Sequence, residues 1–227
     1  MSESIESKRS EQLKPAEVII EADFESCMPD AFRKDPFGYF ATHGINIKKG
    51  EVAYKEDGSI SEDPTAVKDL PNWEDGQGKQ ISIVAKRINA KKSQIAKTAD
   101  PFYEYKVMQH VRSFGLPAAT PFAKVSNGEE QLIIMERVTG FRLLNSTVEE
   151  LRAMGWSDED LHRLKREATL VMAGLEAKFR EKGIERPWKL ADMVVDIDLQ
   201  SKKIRSMTPT DWERTKIRQS GNGDDRR

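Results

Sequence analysis

The sequence predicts an α+β fold, on three observations. Residues 80–88 and 132–135 are strand-like apolar runs, residues 158–182 carry a long helical apolar stripe, and residues 193–211 read as a second strand pair. Apolar residues recurring every second position fit a strand, and spacings of three and four fit one face of a helix.

Taken in order, residues 1–35 form an N-terminal tail, expected to be partly disordered. Its first fourteen positions are too polar to order themselves, while Val18, Ile19, Ile20 and Phe24 form a patch that would dock on the body. Residues 36–60 read as β-rich, from Phe37, Tyr39, Phe40, Ile45, Ile47, Val52 and Tyr54, with Gly44, Gly50 and Gly58 as turns. Residues 56–79 read as a long loop. In 80–88, Ile81, Ile83 and Ala85 fall on one face.

A helix is predicted over 100–114. Asp100 is its cap, Pro101 lies in the first turn, Gly115 ends it, and Tyr103, Val107, Met108 and Val111 are its apolar residues. Pro117 and Pro121 impose an extended path. Residues 122–125 and 132–135 make a hairpin around Asn127-Gly128. A short helix runs from Ser146 or Thr147 to Met154. Ser157 and Asp160 form a capping box for the long helix. Leu161, Leu164, Ala168, Val171, Met172, Leu175 and Phe179 form its buried stripe, and Lys182 with Gly183 closes it. Residues 193–211 turn around 199–203, and 219–227 are a disordered polar tail.

Charged residues make up 33% of the 227 positions and cancel to a net −1, so bulk charge gives no argument for nucleic acid or a membrane surface. Lys86-Arg87 with Lys91-Lys92 is an instance of a local basic patch, and it reads as solvated strand-end charge. The single cysteine, Cys27, excludes an internal disulfide framework and accords with a reducing, cytoplasmic setting. The N-terminus has no signal-peptide core, and no window approaches a membrane span. His43, His110 and His162 are scattered without metal-ligand spacing. Trp73, Trp156 and Trp188 read as core or interface anchors.

Several short segments carry chemistry when taken together. They are Ile83-Val84-Ala85-Lys86 on a strand, Glu104 on the next helix, and Leu132–Met135 running into Glu136-Arg137-Val138. After them come the polar stretch 184–192, the strand at 193–197, and Asp211-Trp212-Glu213. Each alone has an ordinary reading: a solvated strand-end lysine, an exposed helix glutamate, a turn aspartate after Pro209. The ordered series resembles the protein kinase-like superfamily, including aminoglycoside phosphotransferase-type and minimal bacterial kinases, over roughly residues 80–213.

The resemblance implies a bilobal kinase-like fold. Its β-rich N-lobe with one helix would cover 36–138, and a truncated helical C-lobe carrying a β-hairpin would cover 139–218. ATP and Mg²⁺ are the implied cofactors, and a protein or small molecule the implied acceptor, with no specific nucleic acid and no membrane. Lys86 would bind the α- and β-phosphates and Glu104 would orient it. The backbone at Glu136 and Val138 would meet adenine, with Gly140 turning the linker into the second lobe.

Asp211 would hold metal in the place of the Asp-Phe-Gly aspartate. Glu185-Arg186-Pro187 falls on His-Arg-Asp, and Asp192 falls on the metal-binding asparagine. Pro187 cannot accept a proton, so Asp192 or Glu185 is left as the base. A second register makes Asp192 the base and Asp198 the metal ligand, and it needs a loop where 193–195 reads as strand. No glycine-rich phosphate loop of the usual spacing precedes Lys86. The same residues without transfer would make a pseudokinase or nucleotide-binding interaction module.

Overall fold

A computed structural model describes residues 17–20, 22–44, 53–54, 60–61, 67–88, 100, 102–127, 131–212 and 214–218. In chain order, β1 (Glu17–Ile20) precedes the short helices α1 (Asp30–Lys34) and α2 (Pro36–Thr42). The strands β2 (Ala53–Tyr54), β3 (Ile60–Ser61), β4 (Val67–Asp69), β5 (Trp73–Glu74), β6 (Gln80–Ile81) and β7 (Ile83–Arg87) follow. Helix α3 (Tyr103–Ser113) leads to β8 (Pro121–Ser126) and β9 (Gln131–Glu136). The remainder is α4 (Asn145–Ala153), α5 (Asp158–Glu181), β10 (Ile184–Glu185), β11 (Met193–Asp198), β12 (Lys203–Pro209) and β13 (Lys216–Ile217).

The chain is thus α+β, with five α-helices among the described residues and a five-stranded antiparallel sheet ordered β1-β8-β9-β7-β4. The central strands are apolar on both faces because both faces are covered. Ile83, Ala85, Leu132 and Ile134 point to one core with Phe32, Phe40 and Trp73. Val84, Ile133 and Met135 point to the other, with α3, Leu164, Phe179 and Trp212. Strand alternation therefore puts Lys86 on the same face as Val84, toward α3.

Several expectations hold. Val18–Ile20 docks as a paired strand against β8. The capping box at Ser157 and Asp160 forms, and Leu164, Ala168 and Phe179 are buried. Gly183 closes the helix at φ +70°, and the 193–211 hairpin forms with Met193 opposite Pro209. Trp73, Trp156 and Trp188 are buried.

Others are corrected. Phe37, Tyr39 and Phe40 lie on a helix, because the Asp35 side chain accepts the Gly38 amide at 2.9 Å and Pro36 takes the first helical position. Residues 67–69 and 73–74, expected in a long loop, are strands that pair with β7 and β6. Residues 80–88 divide at Ser82 into β6 and β7. Asp100 accepts the Phe102 amide at 2.9 Å, but α3 itself starts after Phe102. Tyr105, fully buried, belongs with the expected apolar residues of α3.

Residues 1–14 and 219–227, Ile45, Ile47, Gly50, Val52, Gly58, Lys91, Lys92, Pro101, Gly128 and Glu213 lie outside the described residues. Among the described residues no helix is long and apolar enough to cross a membrane.

Candidate functional site

Lys86 leaves β7 on the α3 face, and Glu104 sits in the first turn of α3. The lysine Nζ and Glu104 Oε1 meet at 2.5 Å, each side chain only 6% exposed. A buried lysine or glutamate is costly unless paired, so the pairing is the condition on which both can occupy this interior. The same Glu104 oxygen accepts the Trp212 backbone amide at 3.2 Å. One carboxylate therefore joins the sheet, α3 and the C-terminal segment that carries Asp211. Tyr103 adds a second tie, donating its hydroxyl to the Thr215 carbonyl at 2.9 Å.

The hairpin places the second charged group. Met193 pairs with Pro209, and one step outward the Thr210 amide donates to the Asp192 carbonyl at 2.9 Å. The Asp192 and Asp211 carboxylates thereby come to one end of the hairpin. Trp212 is fully buried and packs edge-on to Trp188 and Phe179, at ring separations of 4.9 and 5.8 Å. That aromatic cluster fixes the backbone next to Asp211.

Arg186 lies between the two carboxylates. Its Nη2 donates to Asp192 Oδ2 at 3.2 Å and to Asp211 Oδ2 at 2.9 Å, and its Nη1 donates to the Asp211 carbonyl. Its guanidinium stacks over Trp188 with 4.8 Å to the ring centroid. The arginine side chain is 4% exposed, against 20% for Asp192 and 39% for Asp211. Burial alone would lower the arginine's pKa. Hydrogen bonding and charge from Asp211, then Asp192, outweigh that and raise it.

The sequence did not mark Arg186 as functional. Its signal was its place between the apolar Ile184 and Trp188, upstream of two aspartates that need a cation.

The remaining candidates stand apart from this cluster. Glu185 is on β10, and its carboxylate pairs with Arg218 at 2.5 Å. Glu136 ends β9, and its carboxylate accepts the Thr120 hydroxyl at 2.6 Å. Val138 packs at the edge of the core that contains α3. Gly140 has φ +139°, and a Cβ there would lie 2.5 Å from the Val195 carbonyl oxygen. The close approach lets Phe141 exchange backbone hydrogen bonds with Val195.

The alternative register fails. Residues 193–198 are strand, and Asp198 sits at the hairpin turn, bonded to Arg205 and the Gln200 and Ser201 amides. At strand rise that is roughly 20 Å from Asp192, too far for both to act on one ligand.

ATP and Mg²⁺ are the groups the resemblance implies. Lys86 is a fixed, buried cation and suits phosphate oxygens. Asp192 Oδ2 and Asp211 Oδ2 converge on one nitrogen of Arg186, so the positive charge between them is already the guanidinium. Among the described residues no group of three or more His, Cys, Asp or Glu is placed to hold a metal. No family model matches this chain, and no curated protein matches it.

Proposed function

We propose that the protein is a minimal, atypical phosphotransferase of the protein kinase-like superfamily, bilobal, dependent on ATP and Mg²⁺. The observation that carries this reading is the buried Lys86–Glu104 pair tied to the Trp212 amide, beside Asp211. The antiparallel sheet, the helix bearing Glu104, the long α5 and the hairpin follow in the order the resemblance requires.

Bound Mg·ATP would supply the transferable phosphoryl group and neutralise its charge. Lys86 holds phosphate oxygens, with Glu104 preventing it from swinging away. The backbone of Glu136 and Val138 faces the base. Asp211 and Asp192 hold the cation. Asp192 or Glu185 receives the acceptor's hydroxyl proton; the first carboxylate is bound by Arg186 and the second by Arg218. The acceptor is a protein or a small molecule, and a cytoplasmic setting accords with ATP as donor.

A second reading, a pseudokinase or nucleotide-binding module without transfer, is favoured by Pro187 at the usual base position and by Arg186 between the two aspartates. General-base help typically contributes about 10²–10⁴-fold, so slow transfer by positioning and charge survives its loss. Transfer of radiolabelled γ-phosphate, to the protein itself or to a cell lysate, separates the two. Weak labelling, strongly reduced in Lys86→Ala and Asp192→Ala and less in Glu185→Ala, is the result expected of the enzyme. Mg·ATP binding with no label establishes the second reading. Equal label from wild type and Lys86→Ala identifies a contaminant.

A further inference from the structure

We propose that the cavity walled by the end of α5, β10 and the segment leading into β13 is a binding site for a phosphate group, free or carried as the monoester of a small molecule. The proposal goes beyond phosphotransfer and does not depend on it.

The cavity holds about 450 Å³. Sites for small molecules run from roughly 300 to 1,000 Å³, so it has room for more than an inorganic ion. Four cations line it, Arg180, Arg186, Arg214 and Lys216, against two carboxylates, Glu176 and Glu185. Both carboxylates are already engaged. Glu176 accepts the Trp188 amide at 3.1 Å, and Glu185 pairs with Arg218 at 2.5 Å. Arg186 is held by Asp192 and Asp211 and is not counted as a donor to a ligand. Arg180, Arg214 and Lys216 are exposed, and among the described residues their side chains form no ion pair. Cations facing one cavity repel one another, and an anion between them removes that repulsion.

The three cations stand on a fixed frame. Arg180 is in the last turn of α5, and Lys216 is on β13, opposite Glu185 of β10. Arg214 lies between Trp212 and Thr215, both buried, and the Thr215 carbonyl accepts the Tyr103 hydroxyl. The backbone that carries Arg214 and Lys216 is therefore anchored. A phosphate monoester is tetrahedral, with three terminal oxygens, and accepts from several directions at once; a planar carboxylate matches a single guanidinium fork. Cations arriving from three places in the chain suit the phosphate. Pro187 and Trp188 bound the remaining space, where the organic part of an ester would lie.

The experiment is equilibrium dialysis of the full chain against radiolabelled inorganic phosphate at low ionic strength, with glycerol phosphate and acetate as competitors. The wild type is expected to retain label at millimolar phosphate, and acetate at the same concentration not to displace it. Arg180→Gln and Arg214→Gln should each weaken retention about tenfold, the loss expected for one charge-assisted hydrogen bond. Lys203→Gln, which removes an exposed cation of β12, should leave it unchanged. Displacement by glycerol phosphate at lower concentration than by phosphate identifies an ester as the ligand; equal displacement identifies the free ion.

No retained label overturns the proposal. So does label that acetate displaces as well as phosphate does, label that survives both arginine changes, or label that Lys203→Gln reduces as much as they do. None of these outcomes touches the phosphotransferase reading, which is tested with Mg·ATP. The substituted arginines are exposed, so both variants should keep the wild-type melting temperature, and the wild-type dialysis decides without them.

Discussion

Two charged groups of this molecule are built differently. Lys86 and Glu104 meet at 2.5 Å, each 6% exposed, in the interior. Arg186 serves two carboxylates at once, and those are 20% and 39% exposed. The first is dry and balanced; the second is half open and carries one more negative charge than positive. Solvent barely reaches the buried pair, so it should govern stability. The open cluster can recruit water, a cation or a ligand, so it should govern binding. Glu104 connects them through the Trp212 amide.

The largest effect should come from breaking the dry pair. Lys86→Met leaves Glu104 charged and buried, and loss of one member of such a pair costs about 3–5 kcal/mol. Urea denaturation should show a lower midpoint with an unchanged slope. The double variant Lys86→Met/Glu104→Leu should recover part of the loss, although the Trp212 amide then goes unpaired. If the double variant is no better than the sum of the two single changes, the pair is not the coupled unit described here.

Gly140→Ala attacks the close approach of the chain after β9 to β11. The backbone conformation there is one that glycine alone adopts readily, and the new Cβ would lie 2.5 Å from a backbone oxygen. A loss of about 2–3 kcal/mol is expected, with the Phe141–Val195 amides exchanging hydrogen faster. Wild-type stability would mean that this close approach is relaxed at little cost.

Arg186→Met should destabilise less than Lys86→Met, by about 1–2 kcal/mol, because water reaches both aspartates. A loss equal to that of Lys86→Met would contradict the contrast between dry and open clusters.

How far the sequence reaches can be judged on particular residues. The capping box at Ser157, the hairpin from Met193, Lys86 on its strand and Glu104 on its helix were all legible, because each rests on a local pattern. The helix at Pro36–Thr42 was not read, because three aromatics in six residues carry a strand propensity that the Asp35 cap and Pro36 override. Arg186 was not read because its importance depends on where the hairpin returns. Only the pairing of Met193 with Pro209 brings Asp192 and Asp211 to it. Long-range register of that kind leaves no mark at any one position.

The smallest effect concerns the far end of the same hairpin. The Ser201 amide, then Arg205, hold the Asp198 carboxyl down at about 2. Its folded pKa lies below the unfolded value near ~4. Its contribution is therefore present above the unfolded value and is lost as the pH falls through 4 toward 2. Denaturation followed from pH 5 to pH 2 should show that loss in the wild type and less of it in Asp198→Asn. Identical pH profiles would remove Asp198 from the account of the hairpin.

The central claim is that Lys86 faces bound nucleotide phosphates. An ATP analogue with an acyl group on its terminal phosphate transfers that group to a lysine lying against the phosphates, and mass spectrometry locates it. The account predicts acylation concentrated on Lys86 and blocked by excess unmodified ATP. Labelling spread over exposed lysines such as Lys106 and Lys203, and indifferent to ATP, would contradict it.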